Sequence, residues 1–113
     1  MAEVGTDIQQ ASTYLKQGQL VAIPTETVYG LAGNALDVKA VSSIFETKNR
    51  PSFDPLILHV GSLEQVKPFV SSFPEKLKRL AEAFWPGPLT ILLPRNASVP
   101  DLVTSGLDRV AVR

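Results

Sequence analysis

An α/β fold, a sheet faced by helices, is what this sequence predicts, and three observations predict it. Stretches with apolar residues at helical spacing alternate with short apolar runs of strand length. Glycine or proline punctuates most of the junctions between them. Of the 113 residues, 44% are apolar and 19% charged, a globular composition with room for one core and one domain over residues 1–113.

The elements follow in order. Ile8, Ala11, Ser12 and Leu15 fall on one helical face, with Gly18 where that helix would stop. The apolar run at residues 20–23 is the first strand. Asp37 is placed to cap a second helix with Val38, Val41, Ile44 and Phe45 on its apolar face. Pro51 disfavours a helical residue before it, so that helix should end near Lys48. "RPSFDP" (residues 50–55) reads as an irregular loop and "LILHV" (residues 56–60) as the second strand. Ser62 with Gln65 suggests a capping box for a short helix limited by Pro68. Ser72 with Glu75 repeats that signal before the strongest stripe in the chain, Leu77, Leu80, Ala81, Phe84 and Trp85. "PGP" (residues 86–88) ends that helix, and "LTILLP" (residues 89–94) is the third strand. One helical turn is expected at residues 101–104, and "VAVR" (residues 110–113) begins a fourth strand. Stopping inside an apolar strand is unusual, and the chain is expected to be one part of a larger domain.

Composition removes several function classes. Eleven basic against eleven acidic residues leave no net charge, so an anion site has to be local and a strong nucleic-acid field is not expected. Absence of cysteine excludes disulfides, zinc–thiolate sites and thiol catalysis. "MAEVGTDIQQ" has no basic-then-apolar signal pattern and no run reaches membrane-spanning length, so a soluble cytoplasmic domain without membrane contact is expected.

Polar side chains gather where strands stop: Thr25, Glu26 and Thr27 after the first, His59 late in the second, Arg113 ending the fourth. Ligands of open α/β sheets sit beyond the carboxyl ends of strands. Lys48 and Arg50 are close enough in sequence to hold one anion, a point charge beside a planar fork. Each also has a purely structural reading. The threonines can satisfy turn backbone, Lys48 and Arg50 can complement a helix dipole, His59 can sit in the core, and Arg113 can be solvated. Arg95 and Arg109 flank a loop as solvated charge, and Trp85 belongs to the core stripe. Walker, zinc-protease and nucleophile-elbow motifs are all missing, and Gly30 with Gly33 is no dinucleotide fingerprint.

"PTETVYGLAGNA", "KNRPSFDPLILHV", "WPGPLTILL" and "GLDRVAVR", in that order, resemble the YrdC/Sua5 family of threonylcarbamoyl-AMP synthases. The resemblance runs from about residue 8 onward. It implies a YrdC-like twisted mixed sheet faced by helices, of which this chain would be the N-terminal portion. It also implies the reaction of L-threonine, bicarbonate and ATP to threonylcarbamoyl-AMP and pyrophosphate, serving the threonylcarbamoyladenosine modification of tRNA. Carried over by position, Thr27, His59 and Arg113 would contact threonine, and Lys48 and Arg50 would face the ATP phosphates as the catalytic pair. Asp54, where asparagine is common, and Arg109, where a small hydroxyl residue is common, would complete the ATP-binding set, or Arg109 would instead offset Asp54. Mg²⁺ would accompany ATP, with no carboxylate set here to hold it alone. The pattern continues in the family with a Ser-x-Asn segment not found in these residues, so weak binding and little turnover are expected of them. Three rivals stand beside this reading: an RNA-binding module of the same fold, an enzyme adenylating another carbamate, and a fragment that packs on a partner.

Overall fold

The computed structural model describes residues 3–51 and 53–113. The expected turn at residues 101–104 forms, and the alternation of helices and strands holds throughout. The expected single sheet is replaced by a two-stranded hairpin and a separate three-stranded sheet.

Helix α1 (Ile8–Lys16) starts at Asp7, whose carboxylate accepts from the backbone N–H groups of Gln9 and Gln10. Gly18, at φ 82°, lets the chain reverse after it. The Tyr14 hydroxyl donates to Glu3 at 2.9 Å, and that bond raises the phenol's pKa. Strand β1 (Val21–Ile23) pairs antiparallel with β2 (Gly30–Ala32), a strand that the polar, glycine-containing sequence hid. Helix α2 (Val38–Lys48) is capped by Asp37 as expected, its side chain accepting from the N–H groups of Lys39 and Ala40. Val41, Ile44 and Phe45 are buried, while Val38 is exposed at the first turn. Asn49 closes α2 in the left-handed conformation, and Arg50 N donates back to Phe45 O at 2.9 Å.

In the second sheet β5 (Arg109–Val112) is central, parallel to β3 (Ile57–Leu58) and antiparallel to β4 (Ile91–Pro94). The strand expected to lack support is thus paired on both sides. Side chains alternate across it. Leu58, Val110, Val112, Ile91 and Leu93 point to the core, each at most 5% exposed. Val41 and Phe45 of α2, Ala81 of α3 (Glu75–Phe84), Val103 of α4 (Asp101–Thr104) and Val66 of a 3₁₀ segment (Leu63–Phe69) close that face.

Neither expected capping box forms. Ser62 makes no side-chain cap, and Gln65 accepts instead from Gly61 N at 2.6 Å. Helix α3 begins after Pro74 rather than Ser72, without a side-chain cap, because proline's fixed φ already suits the entry. Its stripe is only partly used: Ala81 is buried, but Leu80 and Phe84 are 43% and 60% exposed. Arg95, expected to be solvated, donates to Val99 O and pairs with Asp101, tying the loop before α4. Ser52 of the "RPSFDP" loop lies outside the described residues. Among those described, no helix is long and apolar enough to cross a membrane.

Candidate ligand cleft and active site

The pairing register decides which residues share a face. Ile57 lies opposite Ala111 and Ala111 opposite Leu92, on the side of the sheet away from the core. One dyad further along, the same face carries His59, Arg113 and Thr90 in a row, since side chains on one face recur every second residue. Arg113 N donates to Leu58 O at 2.8 Å and Val60 N to Arg113 O at 3.2 Å, so the ladder reaches this row. The sequence motifs "LHV" and "VAVR" therefore place two candidate side chains side by side through strand alternation alone.

Above this face, the β1–β2 hairpin and the end of α2 enclose a cleft of about 670 Å³. Thr27, Lys48, Arg50, His59 and Arg113, singled out from sequence, all line it. Thr25, Tyr29 and Lys16 line it as well. No aspartate or glutamate is among its described lining residues. A chain without net charge has thus gathered basic side chains at one place, as a local anion site would need.

Each cation is aimed by local structure. Lys48 sits in the last turn of α2, and the left-handed Asn49 swings Arg50 off the helix axis. There Arg50 NH2 donates to Pro55 O at 2.8 Å, while its Nε is buried without a hydrogen-bond partner among the described residues. An orphan donor of that kind is costly and suits an anionic oxygen. Arg113 is not solvated: its side chain is 15% exposed, and its Nε and NH2 both donate to Thr90 Oγ1, at 3.1 and 2.9 Å. Its NH1 lies 4.0 Å from Glu26 Oε2. His59 is not a core histidine; its side chain is 39% exposed, with Nδ1 4.0 Å from Glu26 Oε1. The hairpin tip holds its own shape, Thr25 Oγ1 donating to Val28 O and accepting from Thr27 N. Tyr29 is 76% exposed, so it is a wall of the cleft and not a packed ring.

Two residues named from sequence are not gathered here. Asp54 is half-buried in the loop before β3 and does not line the cleft. Arg109 is exposed at the start of β5, paired with Pro94, at the opposite end of the strand from Arg113. The two make no ion pair among the described residues. Thr90 and Lys16 were missed as site residues, and Glu26 was noted only among the polar residues after the first strand. For Thr90 a signal existed, since it stands at the start of the strand that pairs with β5. Lys16 carried none.

A smaller hollow of about 360 Å³ lies on the other side of Arg113, lined by Glu26, Glu82 and Trp85 among others.

Residues 13–113 match the Sua5/YciO/YrdC family profile, described as "Telomere recombination". The chain is 53% identical over 106 residues to the threonylcarbamoyl-AMP synthase of Pyrococcus abyssi (strain GE5 / Orsay), covering 94% of this chain and 31% of that one. Against the threonylcarbamoyl-AMP synthase of Bacillus subtilis (strain 168) the identity is 46% over 107 residues, with 94% and 31% covered. The crystal structure of P. abyssi Sua5 complexed with L-threonine superimposes with a TM-score of 0.91 at 53% identity, over 94% of this chain and 31% of that one. The chain thus spans about a third of the length of these relatives.

Proposed function

The chain belongs to the Sua5/YciO/YrdC family, and from that premise we propose that it forms the threonine- and phosphate-binding cleft of an L-threonylcarbamoyladenylate synthase acting in the cytoplasm on behalf of tRNA modification. The single observation that carries this is a cleft lined by Lys16, Lys48, Arg50, His59 and Arg113 with no described acidic lining residue. A relative bound to L-threonine and the shared enzyme name support the substrate class.

In this reading threonine lies over the His59–Arg113–Thr90 row, near Thr27. The α-amine and bicarbonate give a carbamate with loss of water. A carbamate oxygen then attacks the α-phosphorus of ATP, the P–O bond to the β-phosphate breaks, and pyrophosphate leaves. No protein nucleophile is needed, because such transfers depend mostly on positioning and on stabilising negative charge. Lys48 and Arg50 supply that stabilisation. Arg113 has its Nε–NH2 edge on Thr90 and Glu26 at NH1 only at a loose 4.0 Å, so NH1 is the end that turns to the threonine carboxylate. Magnesium would arrive on the phosphates of ATP: with no described carboxylate lining the cleft, this chain offers it no ligand set.

The test is pyrophosphate release from ATP with bicarbonate and Mg²⁺, with and without L-threonine, with Arg50→Ala as control. Threonine-dependent release that the substitution removes supports the reading. Release that is indifferent to threonine, or that persists in Arg50→Ala, contradicts it, and equal use of other amino acids points to a different carbamate.

A further inference from the structure

Glu26 is the residue that the proposed reaction leaves unused. It sits at the tip of the β1–β2 hairpin, its side chain 25% exposed, and its two oxygens face different basic side chains: Oε1 faces His59 Nδ1 and Oε2 faces Arg113 NH1, each at 4.0 Å. The remaining polar contacts of the tip are internal, between Thr25, Thr27 and Val28. Val28 and Tyr29 beside it are more than 70% exposed. The base of the hairpin is held differently, by close packing: a Cβ at Gly33 would come within 2.9 Å of Leu20 and 3.3 Å of Ile44 on α2. Among the described residues the tip is joined to the three-stranded sheet by the carboxylate of Glu26.

We infer that Glu26 is a positioning residue of the amino-acid subsite, a carboxylate bridge that fixes the hairpin tip over the sheet and orients both His59 and Arg113. The inference rests on the function proposed above and adds a residue to it. Arg113 is gripped on one edge by Thr90 from the sheet and faced at its other end by Glu26 from the hairpin. Thr90 sets the guanidinium plane by hydrogen bonds, and Glu26 biases its far end by charge. His59 has Nδ1 turned to Glu26, which leaves Nε2 as the ring nitrogen free for a ligand. Glu26 lines the smaller hollow and not the main cleft, so it acts through its two partners. Without the bridge, Thr27 at the tip and Arg113 on the sheet lose their fixed separation, and a ligand touching both must order them itself.

The test compares Glu26→Gln, which keeps shape without charge, with Glu26→Asp, which keeps charge with a shorter reach. In the ligand-free protein, amide exchange at residues 25–29 is expected to quicken in Glu26→Gln and to be partly restored in Glu26→Asp, with β4 and β5 unchanged. L-Threonine affinity should fall by about tenfold in Glu26→Gln, as expected from losing two loose ion pairs. Affinity for inorganic triphosphate, a probe of Lys48 and Arg50, should stay within about twofold, since those contacts are made elsewhere in the cleft. Unchanged exchange at the tip in Glu26→Gln overturns the bridge. A parallel loss of threonine and triphosphate binding overturns it too, because it marks a general structural role. Wild-type protein that binds no threonine contradicts the functional reading instead, and the exchange comparison still decides whether the bridge exists.

Discussion

The two walls of the cleft are built by different means. Every buried residue among those described lies at or beyond Ala40, in the three-stranded sheet, in α2, α3 and α4, or in the 3₁₀ segment and loops that pack with them. Helix α1 and the hairpin contain none; the helix is amphipathic, yet its Ile8 is 84% exposed. One wall is therefore fixed by apolar burial and carries Lys48, Arg50, His59 and Arg113. The other is fixed by backbone pairing, a glycine contact and a carboxylate, and it carries Thr25, Thr27 and Tyr29. Low local stability is what lets a ligand-facing segment adjust, whereas a rigid scaffold sets the charges.

The largest test of this contrast is a cavity in the stiff wall. Leu93 is fully buried, so Leu93→Ala should cost about 2–5 kcal/mol of global stability by chemical denaturation. Leu31→Ala in the half-buried hairpin should cost less than about 1.5 kcal/mol. Equal losses would erase the distinction between the walls. Next, Arg50→Ala should weaken triphosphate binding by about tenfold to a hundredfold while leaving threonine affinity nearly unchanged, the loss of a charge-assisted contact. Arg113→Ala should do the reverse, and calorimetric titration of both ligands against both variants separates the two subsites. Equal effects on both ligands would mean misfolding rather than site chemistry.

Smaller effects sharpen the picture. Gly33→Val adds atoms where a Cβ already meets Leu20 and Ile44, and should cost about 1–3 kcal/mol, read as faster amide exchange in the hairpin before the sheet. Asn49→Val, with a branched side chain at φ 50°, should cost about 1–2 kcal/mol, whereas Asn49→Gly should be near neutral. The valine variant should also loosen Arg50 and lower triphosphate affinity.

Much of this was legible in the sequence because strand alternation and helix capping are local. Asp37 before an apolar stripe gave α2, and "LILHV" and "VAVR" put His59 and Arg113 on the polar face of their strands. Lys48 and Arg50 were close in sequence and stayed close in space. What failed depended on partners far along the chain. Strand β2 carries too few apolar residues to announce itself and exists because β1 pairs with it. The serines before the two capping signals lost to proline geometry and to Gly61. Arg109 stands four residues before Arg113, yet the length of β5 carries it to the other end of the strand, away from the cleft. Glu26 became visible only when the tip met the sheet.

The central claim is that threonine bridges the two walls. Its most direct test is titration of the isotope-labelled chain with L-threonine, following backbone amides by NMR. The account predicts saturable shifts at residues 25–29 of the hairpin tip together with His59 and Arg113 on the sheet. Shifts confined to one wall, or none at a concentration that saturates its relatives, would contradict it.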